Sequence, residues 1–515
     1  MKYSNFLIAI LALMSLSIHL FAQNHDATDE IIKYLIKMGI DINAPVPPMN
    51  ATSVTNSVIN VDCSVALGDF IHPERYNNLE HSLAFLEQRD ADIDFFNKQG
   101  LHGKIYRAWL IGDNYYDFKT DKVDLGEVAD YLVDASRISE FIMANCSGKG
   151  IMPIDNLSDK ENILRCSRIL KELKSIYPAV RYIEVSNEPD YGPNLTPENY
   201  YKAYKIFYEA VNQVNSELKP AFPLQVGGPS TAQLSLPWMM RFLDAYENDV
   251  STAKRLDFIS YHGYFQKPDS VYVLFKENPS LVKGQRAILD KELSSRGINT
   301  NIPAFVTEMG LYPGPSFDDY ITIKNDHLRQ AAGMASLFYW YLTTNKNTYP
   351  FNWVMRHRME GRKDQLVSRD EKQQPLIYTE KFTPYGNMML MLSKMKERLI
   401  SATTTAEIKD GKGLYTLATK DKNGVSIMVW NFQGTKTEGF NAELKVKNLP
   451  LGWKKKGVVI KVYKIDSETS NYHANLENCN LQMVEEKTIL LEGNFNTNLN
   501  LEPNTLQLFV LEPID

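Results

Sequence analysis

Residues 183–190 read Ile-Glu-Val-Ser-Asn-Glu-Pro-Asp, an apolar strand pattern that ends in an Asn-Glu pair followed by proline. Pro189 forces the chain out of the strand, because proline has no backbone N–H to donate to a neighbouring strand. A second stretch, residues 304–310, reads Ala-Phe-Val-Thr-Glu-Met-Gly and also carries a glutamate near its end. Glu188 and Glu308 are therefore both predicted at the ends of buried strands.

Around these stretches, short β-branched or aromatic runs alternate with longer helical patterns, which is typical of βα units around a parallel sheet. Eight such units in succession favour a closed (β/α)8 barrel, a TIM barrel in the α/β class, over an open sheet. Glu188 then ends the fourth strand and Glu308 the seventh. The predicted strands are Val58–Ala66, Lys104–Leu110, Glu140–Cys146, Arg181–Glu188, Leu224–Gly228, Leu256–Tyr264, Pro303–Gly310 and Tyr349–Arg356.

The 515-residue chain is too long for one such core, so a second domain is expected. After about Ser401, alternating apolar and polar runs lie between turn residues without a long helical pattern, which predicts a C-terminal all-β sandwich. The predicted barrel spans residues 58–400 and the predicted sandwich residues 401–515. The proline-containing segment 23–57 could contribute to the β domain before the barrel begins.

Residues 1–22 start with Met-Lys, continue through a short apolar stretch and reach Ala22. This order is typical of a cleaved signal peptide, so we expect a secreted or periplasmic protein. An uncleaved N-terminal anchor is the alternative. No later stretch approaches about 18 consecutive apolar residues, so we expect no stable membrane insertion after cleavage.

The net charge of −6 is spread without a long run of one sign, which argues against a nucleic-acid-binding protein. The four cysteines lack the Cys-x-x-Cys spacing of zinc sites. We therefore expect neither a metal nor an organic cofactor.

Catalytic residues of such barrels lie at the carboxyl ends of the strands, so Glu188 and Glu308 are expected to face each other across the barrel mouth. Hydrolysis of a glycosidic bond needs one carboxyl group to protonate the leaving oxygen and a second to attack the anomeric carbon. The pair fits this chemistry. The alternative is two unrelated acids at strand ends.

At both motifs, Asn187-Glu188-Pro189 and Thr307-Glu308, the sequence resembles the clan A glycoside hydrolases. It is most similar to glycoside hydrolase family 39, the β-xylosidase and α-L-iduronidase group, because of residues 187–190 and of residues 257–264, Asp-Phe-Ile-Ser-Tyr-His-Gly-Tyr. The resemblance implies that Glu188 is the catalytic acid/base and Glu308 the nucleophile. Ser186 departs from the family, which usually has Trp or another large residue at this position, and Met309-Gly310 replaces a Trp-containing continuation.

Arg107 and Asn187 are candidate substrate-binding residues next to the acids. Clan A enzymes carry an arginine at the end of the second strand, where Arg107 is expected to keep Glu308 ionised; a surface ion pair is the alternative. Asn187 is expected to hydrogen-bond the sugar 2-hydroxyl, or else to cap the turn.

Four further candidates come from other strands. His262 and Tyr264 lie two residues apart and share one strand face, so one of them is expected to hydrogen-bond Glu308 or the sugar, with a buried structural histidine as the alternative. Trp353 near the eighth strand is expected to stack on the sugar or to pack the barrel. His72 follows the predicted first strand and could meet an outer hydroxyl, with an ordinary loop residue as the alternative.

The expected activity is retaining hydrolysis of plant- or host-type oligosaccharides or polysaccharides. A β-xylosidase-like specificity is the leading expectation. Alternatives are an arabinosidase, galactosidase or uronidase, the last favoured by basic residues within 356–363. A non-catalytic carbohydrate-binding barrel is a further alternative. Two facing acids argue against it, because they repel each other and add little to binding.

Overall fold

The computed structural model describes most of the chain from residue 50 onward. The described ranges are 50–79, 89–126, 128–190, 195–264, 278–310, 326–353, 367–370, 377–433, 438–450, 453, 457–472, 474–475, 477–490 and 493–514. The expected signal peptide and the basic stretch 356–363 lie outside them. Within these ranges, no helix is both long and apolar enough to cross a membrane.

Eight parallel strands close into a barrel and alternate with helices along the chain, which confirms the predicted TIM barrel. The barrel strands are β2 (Tyr76–Asn78), β3 (Gly103–Trp109), β6 (Ser139–Cys146), β7 (Val180–Val185), β8 (Gln225–Thr231), β9 (Phe258–Tyr264), β10 (Ala304–Gly310) and β11 (Thr348–Asn352). The α-helices are α1 (Arg89–Lys98), α2 (Val128–Ile138), α3 (Asp159–Ile176), α4 (Pro197–Leu218), α5 (Leu236–Asn248), α6 (Gln285–Ser295), α7 (Asp326–Thr344) and α8 (Pro384–Ser393). Two short two-stranded sheets are β4 (Tyr116–Asp117) with β5 (Lys122–Val123), and β12 (Val367–Asp370) with β13 (Ile377–Phe382).

Local hydrogen bonds fix where two of the helices begin. Ser158 and Glu161 form a capping box at α3, in which each side chain binds the other residue's backbone N–H. Thr196 caps α4 by accepting from the N–H of Asn199, and Pro197 occupies the first turn. These caps satisfy donors that the first helical turn leaves unpaired.

The predicted first barrel strand is wrong. Residues 58–66 belong to β1 (Ser53–Asp69), which pairs antiparallel with Arg398–Thr404 and parallel with Glu438–Lys447 in the second domain. The barrel instead begins at β2, so the chain enters it after Asp69 rather than at residue 58. The physical reason is visible in β1, where buried Ile59 and Val61 flank exposed Asn60, the alternation of a sheet with one solvated face.

The predicted all-β domain is confirmed as one sheet of nine strands, in the order β19-β18-β21-β16-β15-β14-β1-β17-β20. The strands besides β1 are β14 (Arg398–Thr404), β15 (Gly413–Lys420), β16 (Val425–Phe432), β17 (Glu438–Lys447), β18 (Gly457–Ile465), β19 (Gln482–Leu490), β20 (Phe495–Leu501) and β21 (Leu506–Pro513). Eight of these strands contribute buried side chains to one core, so distant parts of the sheet pack on each other.

The interior strand β16 joins this domain to the barrel. Val425 and Ile427 lie in the core of the sheet domain, whereas Met428 and Trp430 point to the other face and join the barrel's core. The Trp430 indole donates to Ser336 Oγ on α7 at 2.8 Å. One apolar core therefore runs from the barrel into the sheet.

Inside the barrel, an apolar layer supports a polar one. Seven strands place one buried side chain each in the lower layer: Tyr76, Ile105, Met143, Tyr182, Phe258, Phe305 and Phe351. At Gly227 of β8 a Cβ would lie 2.5 Å from the Phe258 ring, so glycine is required there. Residues two positions further share the inward face and lie nearer the carboxyl end. Several of these are polar, namely Asn78, Arg107, Asn145, Glu184 and Ser260.

Candidate active site

Glu188 lies in a tight turn directly after β7. Ser186 and Glu188 have φ of +68° and +45°, a conformation that residues other than glycine adopt infrequently. The Ser186 N–H donates to Cys146 O at 3.1 Å and the Glu188 N–H donates to Ser230 O at 2.8 Å. These bonds to both neighbouring strands hold the turn and direct the Glu188 side chain toward the barrel axis.

Glu188 and Glu308 meet at the carboxyl end of the barrel. One carboxylate oxygen of each lies within 4.8 Å of the other. The Glu308 side chain in β10 is 7% exposed, whereas that of Glu188 is 27% exposed. Glu188 is therefore the acid that can exchange protons with water, and Glu308 is the more enclosed one.

Arg107 in β3 binds Glu308 directly and also binds Asn187, the residue before Glu188. Its guanidinium is fully buried, and Nη1 donates to Glu308 Oε1 at 2.6 Å. The other acceptors are Glu184 Oε2 (2.6 Å), Asn187 Oδ1 (2.7 Å), Asn78 Oδ1 (3.2 Å) and Ser230 Oγ (3.3 Å). All five N–H groups are used, so Arg107 fixes side chains from several strands at once.

Glu184 is a third carboxylate that the sequence analysis missed. It lies in β7 with no exposed surface, and its Oε2 accepts from both Arg107 and Asn145. The available signal was a charged residue in an otherwise apolar strand, two positions after Tyr182. Asn78, Asn145 and Ser230 were missed for a related reason, because only the register of the closed barrel shows that they face inward.

His262 in β9 bridges the two acids. Its Nδ1 lies 2.9 Å from Glu188 Oε1 and 3.6 Å from Glu308 Oε2, and its Nε2 lies 3.2 Å from Ser230 Oγ. The ring is almost fully buried. The predicted partner of a hydrogen bond from this strand was Glu308 or the sugar, whereas the 2.9 Å bond of His262 Nδ1 is to Glu188.

The charges of the site shift two pKa values. Burial disfavours the imidazolium, but the negative charges of Glu308 and Glu188 outweigh it and raise the pKa of His262. Burial raises the pKa of Glu308, while the positive charges of His262 and Arg107 oppose that rise. The two neighbouring positive charges therefore limit, but do not cancel, the rise that burial imposes on the pKa of Glu308.

Asn187 is oriented by Arg107. A guanidinium only donates, so the oxygen of the Asn187 amide must face Arg107 Nη2. The amide nitrogen then points elsewhere and can donate to a bound hydroxyl group.

Two of the remaining candidates, Trp353 and Tyr264, lie at the carboxyl ends of barrel strands. Trp353 follows β11, is 7% exposed, and packs edge-on against Trp109 with ring centres 6.2 Å apart. Tyr264 ends β9, but its side chain lies outside the part that the structure describes.

The predicted position of His72 is wrong. It precedes β2 and therefore lies at the amino end of the barrel, opposite the acids. Its Nδ1 lies 2.9 Å from Glu74 Oε1 and its ring packs against Phe70. The error follows from assigning residues 58–66 to the barrel, which placed residue 72 after a strand instead of before one.

Glu188, His262 and Glu308 also form a donor set that a divalent cation could accept, since the three atoms lie within 4.8 Å of one another. Such an ion would compete with the His262–Glu188 hydrogen bond and with the cation Arg107. The four cysteines are buried and unpaired, and none belongs to this group.

Comparison with known proteins gives a family and a fold. The model of a family described as glycosyl hydrolases family 39 matches residues 179–477. The structure is similar to that of the bacterial orthologue of human α-L-iduronidase, with 15% identity, a TM-score of 0.67, and 89% of this chain and 84% of that chain covered. A monomeric β-xylosidase from Caulobacter crescentus CB15 gives 15% identity, a TM-score of 0.63, and coverage of 89% and 100%. The GH39 enzyme from Xanthomonas axonopodis pv. citri gives 14% identity, a TM-score of 0.61, and coverage of 90% and 98%.

Proposed function

Because this chain belongs to glycosyl hydrolase family 39, and is therefore a glycosidase, we propose that it cleaves its substrate with retention of anomeric configuration. In this proposal Glu308 is the nucleophile and Glu188 the acid/base. One observation carries it: oxygens of the two carboxyl groups lie within 4.8 Å. Retaining glycosidases have the groups about 5–5.5 Å apart, whereas inverting ones need about 6.5–9.5 Å to admit a water.

In the first step Glu308 attacks the anomeric carbon. Arg107 binds Oε1 of this carboxylate, so we assign the attack to Oε2. Glu188 protonates the departing glycosidic oxygen with a proton that it shares with His262 Nδ1. The bond from the anomeric carbon to that oxygen breaks, and an ester to Glu308 forms.

In the second step water replaces Glu308. Glu188, now a carboxylate, removes a proton from the incoming water, and the water oxygen displaces Glu308 from the anomeric carbon. The partial exposure of Glu188 supports this role, because the residue can reach solvent while Glu308 stays enclosed. Two inversions at one carbon give net retention.

For the substrate we propose a β-xyloside within an oligosaccharide or polysaccharide. The similarity to the Caulobacter β-xylosidase supports this choice. A uronide is the second candidate, supported by the similarity to the iduronidase orthologue and by the basic residues of stretch 356–363. A panel of nitrophenyl glycosides that includes xylosides, arabinosides, galactosides and uronides distinguishes them by their kcat/KM values.

The proposed roles are tested with Glu308→Gln and Glu188→Gln, and with Glu140→Gln as the control. Glu140 lies at the opposite end of the barrel, where it pairs with Arg75 and Lys104. We expect E308Q to lower kcat by about 10⁴-fold or more. E188Q should lower kcat about 10²- to 10⁴-fold on a poor leaving group, and less on nitrophenol, which needs little protonation. Full hydrolysis by E308Q would refute the mechanism.

We also propose that the protein is exported, on the signal-like pattern of residues 1–22. The test is the N-terminal sequence of the mature protein after expression in a bacterium with a periplasm. A start at Gln23 supports cleavage after Ala22, and an intact Met1 contradicts it.

A further inference from the structure

We propose that Glu184 is a positioning residue that sets how strongly the Arg107 charge acts on the nucleophile. Glu308 would then owe its basicity to a third carboxylate that touches no substrate. This inference rests on the proposed role of Glu308 as nucleophile.

The contacts place Glu184 behind Arg107. Its Oε2 lies 2.6 Å from Arg107 Nε, and Glu308 Oε1 lies 2.6 Å from Nη1 of the same guanidinium. The Asn145 amide donates to the same Glu184 oxygen at 2.8 Å and so fixes it. Glu184 has no exposed surface, which separates it from any ligand at the barrel mouth.

The charges explain why a second acid is useful there. In a buried site, unit charges at hydrogen-bond distance interact far more strongly than in water. Paired with Glu308 alone, the full charge of Arg107 would bind the ionised nucleophile tightly and make it less basic. The negative charge of Glu184 offsets part of the positive charge of Arg107. Arg107 can then orient Glu308 by hydrogen bonding while the Glu308 carboxylate remains basic enough to react.

The other titratable groups around Glu308 and Glu184 do not replace the interaction of both carboxylates with Arg107. His262 from β9 and Glu188 from the turn after β7 face Glu308. The charge of His262 also acts on Glu184, and the charge of Glu184 acts in turn on the thiol of Cys146 and the hydroxyl of Tyr200. Burial raises the pKa values of Cys146 and Tyr200, so both stay neutral over the working pH range.

The test compares Glu184→Gln, which removes the charge at constant shape, with Glu184→Asp, which keeps the charge but withdraws it by one methylene. The readouts are kcat and the acidic limb of the kcat/KM against pH profile, which reports the ionisation of the nucleophile in the free enzyme. We expect E184Q to move the acidic limb down by about one pH unit or more and to lower kcat about tenfold. E184D should move the limb in the same direction by a smaller amount.

The control is Asn145→Ala, which loosens Glu184 but leaves its charge. This variant should lower the melting temperature without moving the acidic limb as far as E184Q does. A purely structural role predicts instead that E184D, which changes shape, disturbs the profile at least as much as E184Q. That order, or an acidic limb that stays in place in both Glu184 variants, would overturn the inference.

If E184Q does not fold, the acidic limb of E184D decides alone: a downward shift supports the inference and no shift refutes it. Failure of the proposed function is recognised separately, because E308Q would then stay active.

Discussion

His262 Nδ1 lies 2.9 Å from a carboxylate oxygen of Glu188 and thereby links the two acids of the site through one imidazole. The same nitrogen is 3.6 Å from Glu308 Oε2. Because both neighbours are negative when ionised, the ring is held as a cation more readily than a free histidine. A proton can therefore be stored next to the group that must deliver it.

The first prediction concerns His262 and the pH dependence of stability. Its pKa in the folded state is raised, so its stabilising charge is fully present below the unfolded value of about 6.5 and is lost as the pH rises through the folded value. The melting temperature of wild type minus that of His262→Asn should be larger at about pH 6 than at about pH 8.5. The control is His102→Asn, since burial and Arg75 lower the pKa of His102. A difference for H262N that does not change with pH would show that the ring is uncharged.

The second prediction tests the orientation of Asn187. Arg107 holds the amide oxygen, which leaves the amide nitrogen to bind the sugar 2-hydroxyl. Asn187→Ala should cost about 2 kcal/mol in the transition state, or roughly a thirtyfold loss of kcat/KM. The same variant should lose little on a 2-deoxy glycoside, which is the internal control. Equal losses on both substrates would assign Asn187 to the turn alone.

The third prediction distinguishes two roles of Trp353, substrate binding through its indole N–H and packing of its ring inside the barrel. The buried indole nitrogen has no hydrogen-bond partner in the described part of the chain. Trp353→Phe keeps a ring against Trp109 but removes this donor, so KM should rise about fivefold, or about 1 kcal/mol, with little change in melting temperature. Trp238→Phe, on α5, is the matched control and should leave KM unchanged. A lower melting temperature with an unchanged KM would indicate packing only.

The fourth prediction concerns the join between the two domains. Trp430 stacks on Tyr415 with ring centres 5.3 Å apart and donates to Ser336 on α7. Trp430→Ala should lower the free energy of unfolding by about 3–5 kcal/mol, and Ser336→Ala by about 1 kcal/mol. Because one core spans the junction, the temperature at which activity is lost and the temperature at which the β-strand circular dichroism signal is lost should fall by the same amount in these variants. Melting of the sheet domain at a temperature that leaves activity intact would contradict a shared core.

The sequence predicted those parts of the fold that depend on local periodicity. Seven of the eight barrel strands overlap predicted strands, because most of them are apolar or aromatic runs that lie between helical patterns. The first was not, since β2 is only three residues long and reads Tyr-Asn-Asn, with no apolar run to detect. The alternation of Ile59, Val61 and Cys63 with polar residues was a usable signal that β1 lies in a half-solvated sheet.

For the candidate site, residues with a motif or a strand-end position could be found, and residues known only by register could not. Glu188 and Glu308 stand out because proline or glycine follows each of them closely. The predicted barrel makes β6 and β7 neighbours, but the sequence does not give the register that places Asn145 beside Glu184. The prediction for His72 depended on the strand assigned before it. Because that strand does not belong to the barrel, His72 lies at the amino end and not at the carboxyl end.

Proton NMR of the first sugar released tests the central claim most directly, because it records the anomeric configuration before mutarotation. The substrate should be the nitrophenyl glycoside that is hydrolysed fastest. Attack by Glu308 followed by water activated by Glu188 predicts that the product initially has the same anomeric configuration as the substrate. Initial formation of the opposite anomer would contradict a glycosyl–Glu308 intermediate.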